Sequence, residues 1–209
     1  MSKPKLNTRE KIRDKALEMF NERGIEYVGL RELATLLDMR VGNITYYFPT
    51  KDDLVYELSM QLSEKNAATM VVHEKPTMRA FLYMLQAVFQ NHLQFRCLLL
   101  SVVHVMKQNK RVAAAYQQNQ NTRSATIRTY IEALATCGYV QVKEKEDLDF
   151  LVSTLALISR FWISEAAISF RPVREEEQIK HYLTLITKLL LPYSTSKAKV
   201  EIQAFSEGL

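Results

Sequence analysis

The sequence predicts an all-α protein: an N-terminal three-helix domain with a helix-turn-helix, then a larger C-terminal helical domain, about nine helices in all. Three observations carry this. Five Gly and five Pro in 209 residues, where average usage gives roughly 15 and about 10, leave little turn punctuation. Apolar residues recur at helical spacing from Ile12 to Leu190. Within 30–48, two short apolar stripes follow one another across a tight turn.

The elements follow in order. Residues 1–7 are a polar tail carrying Lys3 and Lys5, a composition that is usually disordered and sometimes touches phosphates. Asn7 or Thr8 caps a first helix, and Glu10 in its first turn suits the helix dipole. Ile12, Ala16, Met19 and Phe20 form its buried stripe, and Gly24 ends it. Next, Leu30, Leu33, Ala34 and Leu37 fall at i, i+3, i+4 and i+7. Val41, Ile44 and Phe48 form the inner side of a shorter helix that Pro49 stops. Between them, Asp38 is one of the few non-glycine types that accept a left-handed backbone. Arg40 stands where a capping Ser or Thr is usual, so the second helix is expected without a side-chain cap.

The outer face of that second helix holds Arg40, Asn43, Thr45 and Tyr46, with Tyr47 beside them. All can hydrogen-bond or stack, and a polar, aromatic second helix is how a helix-turn-helix reads the major groove. Two plain core helices would explain the stripes equally well, but not this choice of outer side chains.

Thr50 caps a fourth helix, with Asp52 and Asp53 in its first turn. Lys51 is not needed there for helix stability. A phosphate across that helix end would meet free backbone N–H groups and the Lys51 ammonium together. The domains are expected at 1–52 and 53–209, the fourth helix running as a lever to about residue 72 before the break at Lys75-Pro76. Helices are then expected over 77–93, 95–106, 112–137, 147–170 and 174–191, with a polar, frayed tail over 193–209. The helices over 147–170 and 174–191 are apolar beyond what one neighbour covers. Leu155, Ile158, Phe161, Tyr182, Leu183, Ile186 and Leu190 are therefore expected in a four-helix interface between two copies of the chain, rather than in an unusually thick monomer core.

Composition excludes other classes. No apolar run approaches the ~18 residues of a membrane span, and the N-terminus lacks a signal-peptide core, so a cytoplasmic protein without membrane contact is expected. Cys97 and Cys137 are solitary, and His73, His92, His104 and His181 show no metal-ligand spacing. No nucleophile–base pair, Gly-rich phosphate loop or cofactor motif is present, which argues against an enzyme and against any bound cofactor or metal. The net charge of +5 is uneven. Between Lys75 and Ile131 there are eight Lys and Arg and no carboxylate, leaving 20 basic against 23 acidic residues elsewhere.

Residues 8–55 resemble the TetR family of bacterial transcriptional regulators. Carrying the resemblance are Thr8 with Ile12, Ala16-Leu17-Glu18-Met19-Phe20, Gly24, Leu30-Arg31-Glu32-Leu33-Ala34 and Gly42-Asn43-Ile44-Thr45-Tyr46-Tyr47-Phe48-Pro49-Thr50-Lys51. Beyond residue 55 only the order and length of the helices match. The resemblance implies a DNA-binding head, a helical ligand-binding and dimerisation domain, and repression relieved by a small molecule. This sequence departs from the family pattern at Gly29, where a Thr is usual, at Asp38 and Arg40, where Gly and Ser are usual, and at Thr45, which aligns with a phosphate-contacting Tyr.

DNA contacts are thus expected from Arg40, Asn43, Thr45, Tyr46, Tyr47, Thr50 and Lys51, with Arg40 suited to guanine and Asn43 to adenine. A ligand pocket is expected from Met84, Phe89, His92, His104, Tyr116, Tyr130 and Trp162, although each would serve equally as core. The carboxylate-free stretch favours an anionic hydrophobic ligand. The expected partners are double-stranded DNA with a palindromic operator, a small-molecule effector and a second copy of the chain. A different class, a helical sensor or carrier of hydrophobic molecules without specific DNA binding, fits the C-terminal helices but leaves the Asn43 face without a task.

Overall fold

The computed structural model describes residues 7–170 and 174–209. The expectations for the Lys3/Lys5 tail and for the helix stop at Arg171-Pro172 lie outside these residues. The fold is all-α, as the sequence predicts. The described residues form eleven α-helices and two short 3-10 turns, with one isolated bridge, Val140 to Ser194. The extra helices arise where one expected helix over 95–106 divides at Ser101, and where the expected frayed tail folds.

Contacts divide the chain into two compact units. The first holds residues 1–64 and 95–116, the second 65–94 and 117–209. This grouping differs from a boundary at residue 52, because 95–116 pack with the head.

In the first unit, α1 (Thr8–Arg23) starts with a reciprocal cap. The Asn7 side chain accepts from the Glu10 N–H, and Glu10 accepts from the Asn7 N–H. Gly24, at φ +91°, ends it in a conformation that an L side chain rarely takes. After a 3-10 turn come α2 (Leu30–Leu36), which packs on α1, and α3 (Val41–Tyr47), which packs on α2. Ile12, Ala16, Phe20, Leu33, Ala34, Ile44 and Phe48 are each no more than 1% exposed. At about 1.5–3 kcal/mol for each large side chain buried, Ile44 and Phe48 are the apolar anchors of this short helix. Val41, expected inside, is 37% exposed; a seven-residue helix has room for only one inward stripe. α4 (Lys51–Thr69) leaves the head, and α6 (Arg96–Leu100), α7 (Val102–Gln108) and the start of α8 (Lys110–Thr136) complete the unit. Asn21 of α1 ties α6 in: its side chain accepts from the Cys97 N–H at 3.0 Å and its carbonyl from Arg96 at 3.2 Å.

The second unit is built around α5 (Met78–Gln94), which packs against α9 (Lys145–Ser169), α10 (Glu175–Leu190) and α11 (Ser196–Glu207). The tail expected to fray over 193–209 is instead this last helix. Thr195 caps it by accepting from the Ala198 N–H, and Ala198, Ile202 and Phe205 are buried at i, i+4 and i+7. Glu201 on the same helix accepts from the Arg79 N–H at the start of α5 and from the Tyr139 hydroxyl. The segments at 139–141 and 193–195 are joined by Gln141 N–H to the Tyr193 carbonyl and Thr195 N–H to the Tyr139 carbonyl.

Two further expectations need correction. α9 is long and apolar enough to cross a membrane by length and mean hydropathy alone, contrary to the expectation of no such stretch. It is two-faced, however, and directs Leu151, Val152, Leu155, Trp162, Ile163 and Ala166 inward. Of the residues expected to face a partner, Leu155, Tyr182, Leu183, Ile186 and Leu190 are at most 4% exposed within the single chain. They are spent on packing α9 and α10 inside the second unit and have no surface left for a partner. Ile158 and Phe161 stay half-buried. The exposed apolar positions on these helices are Phe150, Leu157, Ile168 and Leu185.

Truncating Phe205, which meets the Tyr83 ring edge-on at 5.2 Å, is expected to cost about 3–5 kcal/mol. Urea unfolding of Phe205→Ala checks this; a change under 1 kcal/mol on the order of surface effects would mean that α11 contributes nothing to the second unit.

Candidate nucleic-acid interface

The turn before α3 determines what α3 displays. Asp38 takes the left-handed conformation at φ +52°, the only non-glycine among the described residues to do so. Its N–H reaches the Thr35 carbonyl at 3.1 Å, and the next N–H, from Met39, reaches Ala34 at 2.9 Å. The chain reverses within four residues, and Arg40 enters α3 without a side-chain cap, as expected.

With Ile44 and Phe48 pointing in, the other side of α3 faces solvent. Arg40, Asn43 and Tyr46 are exposed, Tyr46 to 79%. Among the described residues, the Arg40 and Asn43 side chains make no hydrogen bond or ion pair, so their donors and acceptors are available. The Tyr46 and Tyr47 rings meet edge to face at 5.0 Å, which fixes both beside the helix. Thr45 is half-buried and its hydroxyl donates to the Gly42 carbonyl at 3.3 Å. Gly42, part of the stretch that carries the family resemblance but given no contact of its own, has nothing within 4 Å of where a Cβ would stand. It lets another molecule approach the backbone of α3 closely.

The edge continues into α4. Thr50 and Asp53 form a reciprocal cap: the Thr50 hydroxyl donates to the Asp53 carboxylate at 2.7 Å and accepts from the Asp53 N–H at 3.2 Å. The Thr50 hydroxyl, with Arg111 beside it, holds the Asp53 carboxyl below its ordinary value. Lys51 donates to the Ile25 carbonyl at 2.9 Å and to Glu26 at 3.4 Å. Its ammonium pins the turn after α1 to α4 and keeps one proton for another acceptor. Tyr27, three residues past Gly24 in that turn, is 76% exposed, and no sequence expectation covered it.

The residues expected to line a ligand pocket do not gather in one unit. His104 lies on α7 in the first unit, exposed, 3.9 Å from the Glu26 carboxylate, and Tyr116 belongs to that unit as well. Met84, Phe89, His92, Tyr130 and Trp162 are buried together in the second. Phe89 stacks on Trp162 at 4.8 Å. The Trp162 indole donates to His92 Nδ1 at 3.2 Å, and the Asn66 amide lies 3.2 Å from the other ring nitrogen. Asn91 continues the chain by donating to Asn66 Oδ1 and Thr69 Oγ1. Both nitrogens of His92 are therefore occupied within the protein. Burial, reinforced by Arg123, lowers its imidazole from 6.5 to about 3.

An outward polar helix on a rigid three-helix head, joined to a larger helical unit, defines a helix-turn-helix DNA-binding protein. A family model described as "Bacterial regulatory proteins, tetR family" matches residues 12–58, and one described as "TetR: Bacterial transcriptional repressor" matches 57–202. The chain belongs to the TetR family of transcriptional regulators, which bind DNA and are not enzymes. A TetR-family regulator from Marinobacter aquaeolei VT8 superposes with a TM-score of 0.90 at 21% identity, covering 97% of this chain and 98% of that one. The SmeT–triclosan complex gives 0.64 at 13% identity, over 91% and 93% of the two chains. The probable HTH-type transcriptional regulator YttP of Bacillus subtilis (strain 168) is 33% identical over 66 residues. That alignment spans about a third of each chain, 32% in both cases.

The buried imidazole has a measurable consequence. The folded ring refuses a proton that the unfolded chain takes up below pH 6.5, so this contribution is intact at pH 7. It is lost progressively as the pH falls from 6.5 towards 3, at about 1.4 kcal/mol per pH unit. Between pH 7 and pH 5, the loss of stability in His92→Gln should be smaller than in the parent by about 2 kcal/mol. Urea titrations at the two pH values measure it, and equal losses would show that His92 takes up its proton without unfolding.

Proposed function

We propose that the protein is a homodimeric repressor that holds a palindromic operator and lets go when a small hydrophobic ligand binds. The observation carrying this reading is the face of α3. Arg40 and Asn43 project bidentate hydrogen-bonding groups with no partner among the described residues, between the bare backbone at Gly42 and the aromatic edge of Tyr46 and Tyr47. A solvated surface helix has no need for that combination. A reading helix uses Arg for guanine and Asn for adenine, while Tyr47 and the remaining proton of Lys51 meet phosphates; the Thr50 donors are held by Asp53.

Dimerisation is supported by the outer stripe of α9. Phe150, Leu157, Phe161 and Ile168 are separated by 7, 4 and 7 residues, which places them on one side of the helix. Phe150, Leu157 and Ile168 are 51%, 57% and 86% exposed, with Leu185 of α10 a further exposed apolar side chain. A two-fold pairing of these helices covers them and sets two heads on one duplex. The effector side of the proposal rests on the aromatic interior around Phe89, Trp162 and Tyr130. An anionic hydrophobic ligand suits the absence of carboxylates between Lys75 and Ile131. The SmeT structure is a complex with the small molecule triclosan.

Selection of bound duplexes from a random pool is expected to return an inverted repeat with half-sites about one helical turn apart. Asn43→Ala should weaken binding to the selected site by about 1–3 kcal/mol and relax the preference at one base pair per half-site. Leu157→Glu should shift the solution mass to a single chain and lower operator affinity with it. Recovery of no enriched sequence, or a single-chain mass for the unmodified protein, overturns the proposal.

A further inference from the structure

The eight basic residues between Lys75 and Ile131 are not spread evenly. Lys107, Lys110 and Arg111 lie within five residues, where α7 turns into α8, and all three are exposed. This corner is tied to the first turn of α4 by side chains that do two jobs each. The buried Asn109 amide accepts from the Val112 N–H, capping α8, and donates to the Asp52 carbonyl at 2.9 Å. Arg111 pairs with Asp53 at 2.6 Å and lies over the Tyr56 ring, 4.2 Å from its centroid. Asp52 and Asp53 follow Thr50 and Lys51 directly, so the corner sits against the continuation of the edge that begins at Tyr46.

Arg111 is spent on Asp53, and Thr50 holds that carboxylate too. Lys107 and Lys110 have no hydrogen bond or ion pair among the described residues. The opposing charges on the elements packed here are Asp52 and Asp53 of α4 and Glu26 of the turn, the last drawn to His104 and Lys51. Against these stand Lys51, Lys107, Lys110 and Arg111. Two solvated lysines on a short corner would ordinarily cost nothing and mean nothing. Here they flank a buried amide that is bonded to the first turn of α4, the turn assigned to phosphates under the proposed function.

We propose that Lys107 and Lys110 form a second phosphate-binding surface, which engages duplex backbone outside the bases that α3 reads. The inference rests on the DNA-binding reading of α3. A lysine is suited to this: a point charge on a flexible stem meets a phosphate without demanding a base sequence. The contact adds affinity and salt dependence and leaves the recognition motif unchanged. It also makes the required duplex longer than the read bases.

The test uses the full chain and two duplexes carrying the selected site, one trimmed to the read bases and one extended by about a helical turn on each side, roughly 10 base pairs. Affinity is followed against salt concentration. Lys107→Ala combined with Lys110→Ala is expected to reduce the slope of log K against log salt by about 1.8 per protomer on the long duplex. On the trimmed duplex it should leave both slope and affinity as they were. Lys143→Ala with Lys145→Ala, the same charge change at two exposed lysines of the second unit, should change neither. An unchanged slope on the long duplex, an equal loss on both duplexes, or an equal loss from the Lys143 and Lys145 pair overturns the inference. In each of those cases the unmodified protein still binds. Failure of the unmodified protein to bind either duplex is a different result and removes the reading of α3 itself.

Discussion

The burial of Ile44 and Phe48 in the core of the head, where Ile12, Phe20 and Leu33 are buried as well, is the constraint on which the rest depends. A seven-residue helix has too few internal hydrogen bonds to persist alone. α3 also lacks an N-terminal side-chain cap. Its existence and its rotation are thus set by two inward side chains. Once these are fixed, helical geometry leaves Arg40, Asn43 and Tyr46 nowhere to go but outward. The polar groups that would be costly to bury are the same ones that base edges and phosphates can satisfy.

Around that helix, lysine and asparagine act as fasteners. Lys51 closes the turn after α1 onto α4, Asn21 holds α6 to α1, and Asn109 joins α8 to α4. Each satisfies backbone groups at a helix end that would otherwise be left unpaired. The first unit is in consequence made of two separate stretches of chain, and a boundary drawn at one sequence position does not describe how it packs. In the second unit the equivalent fastener is the buried run from Trp162 through His92 and Asn66 to Asn91, which links α9, α5 and α4 through neutral hydrogen bonds. Fully paired polar chains of this kind specify one arrangement of helices where apolar contacts alone would tolerate several.

Much of this was legible in the sequence, and the failures share a cause. The helix stripes, the Asn7 and Thr50 caps, the Gly24 stop, the left-handed Asp38 and the uncapped Arg40 all follow from local chemistry. The two assignments that fared worst required knowing which neighbour covers a helix. Leu155, Leu183, Ile186 and Leu190 carry the periodicity of a partner-facing stripe, but α5 and α11 cover that side. α11 was missed because its three buried residues are diluted by lysines and glutamates, so the stretch looks polar although Thr195, Ala198, Ile202 and Phe205 have a helix's spacing. His92 and His104 are the same residue type twelve positions apart; one is sealed against an indole and the other lies open beside Glu26.

By itself the chain determined that it would be helical, that a short helix with an aromatic, hydrogen-bonding outer side would follow Asp38, and that the stretch from Lys75 to Ile131 would carry basic residues with no carboxylate among them. These are matters of residue type and of spacing within about a turn of helix, where backbone geometry alone decides the neighbours. Only the folded structure decided which apolar stripe is used up inside the chain, which of the histidines is buried, and that Asn109 and Arg111 tie the corner between α7 and α8 to the first turn of α4. Those outcomes depend on side chains tens of residues apart in the chain. Such contacts form because burying the right surfaces together lowers the free energy, and no local pattern records which surfaces will meet.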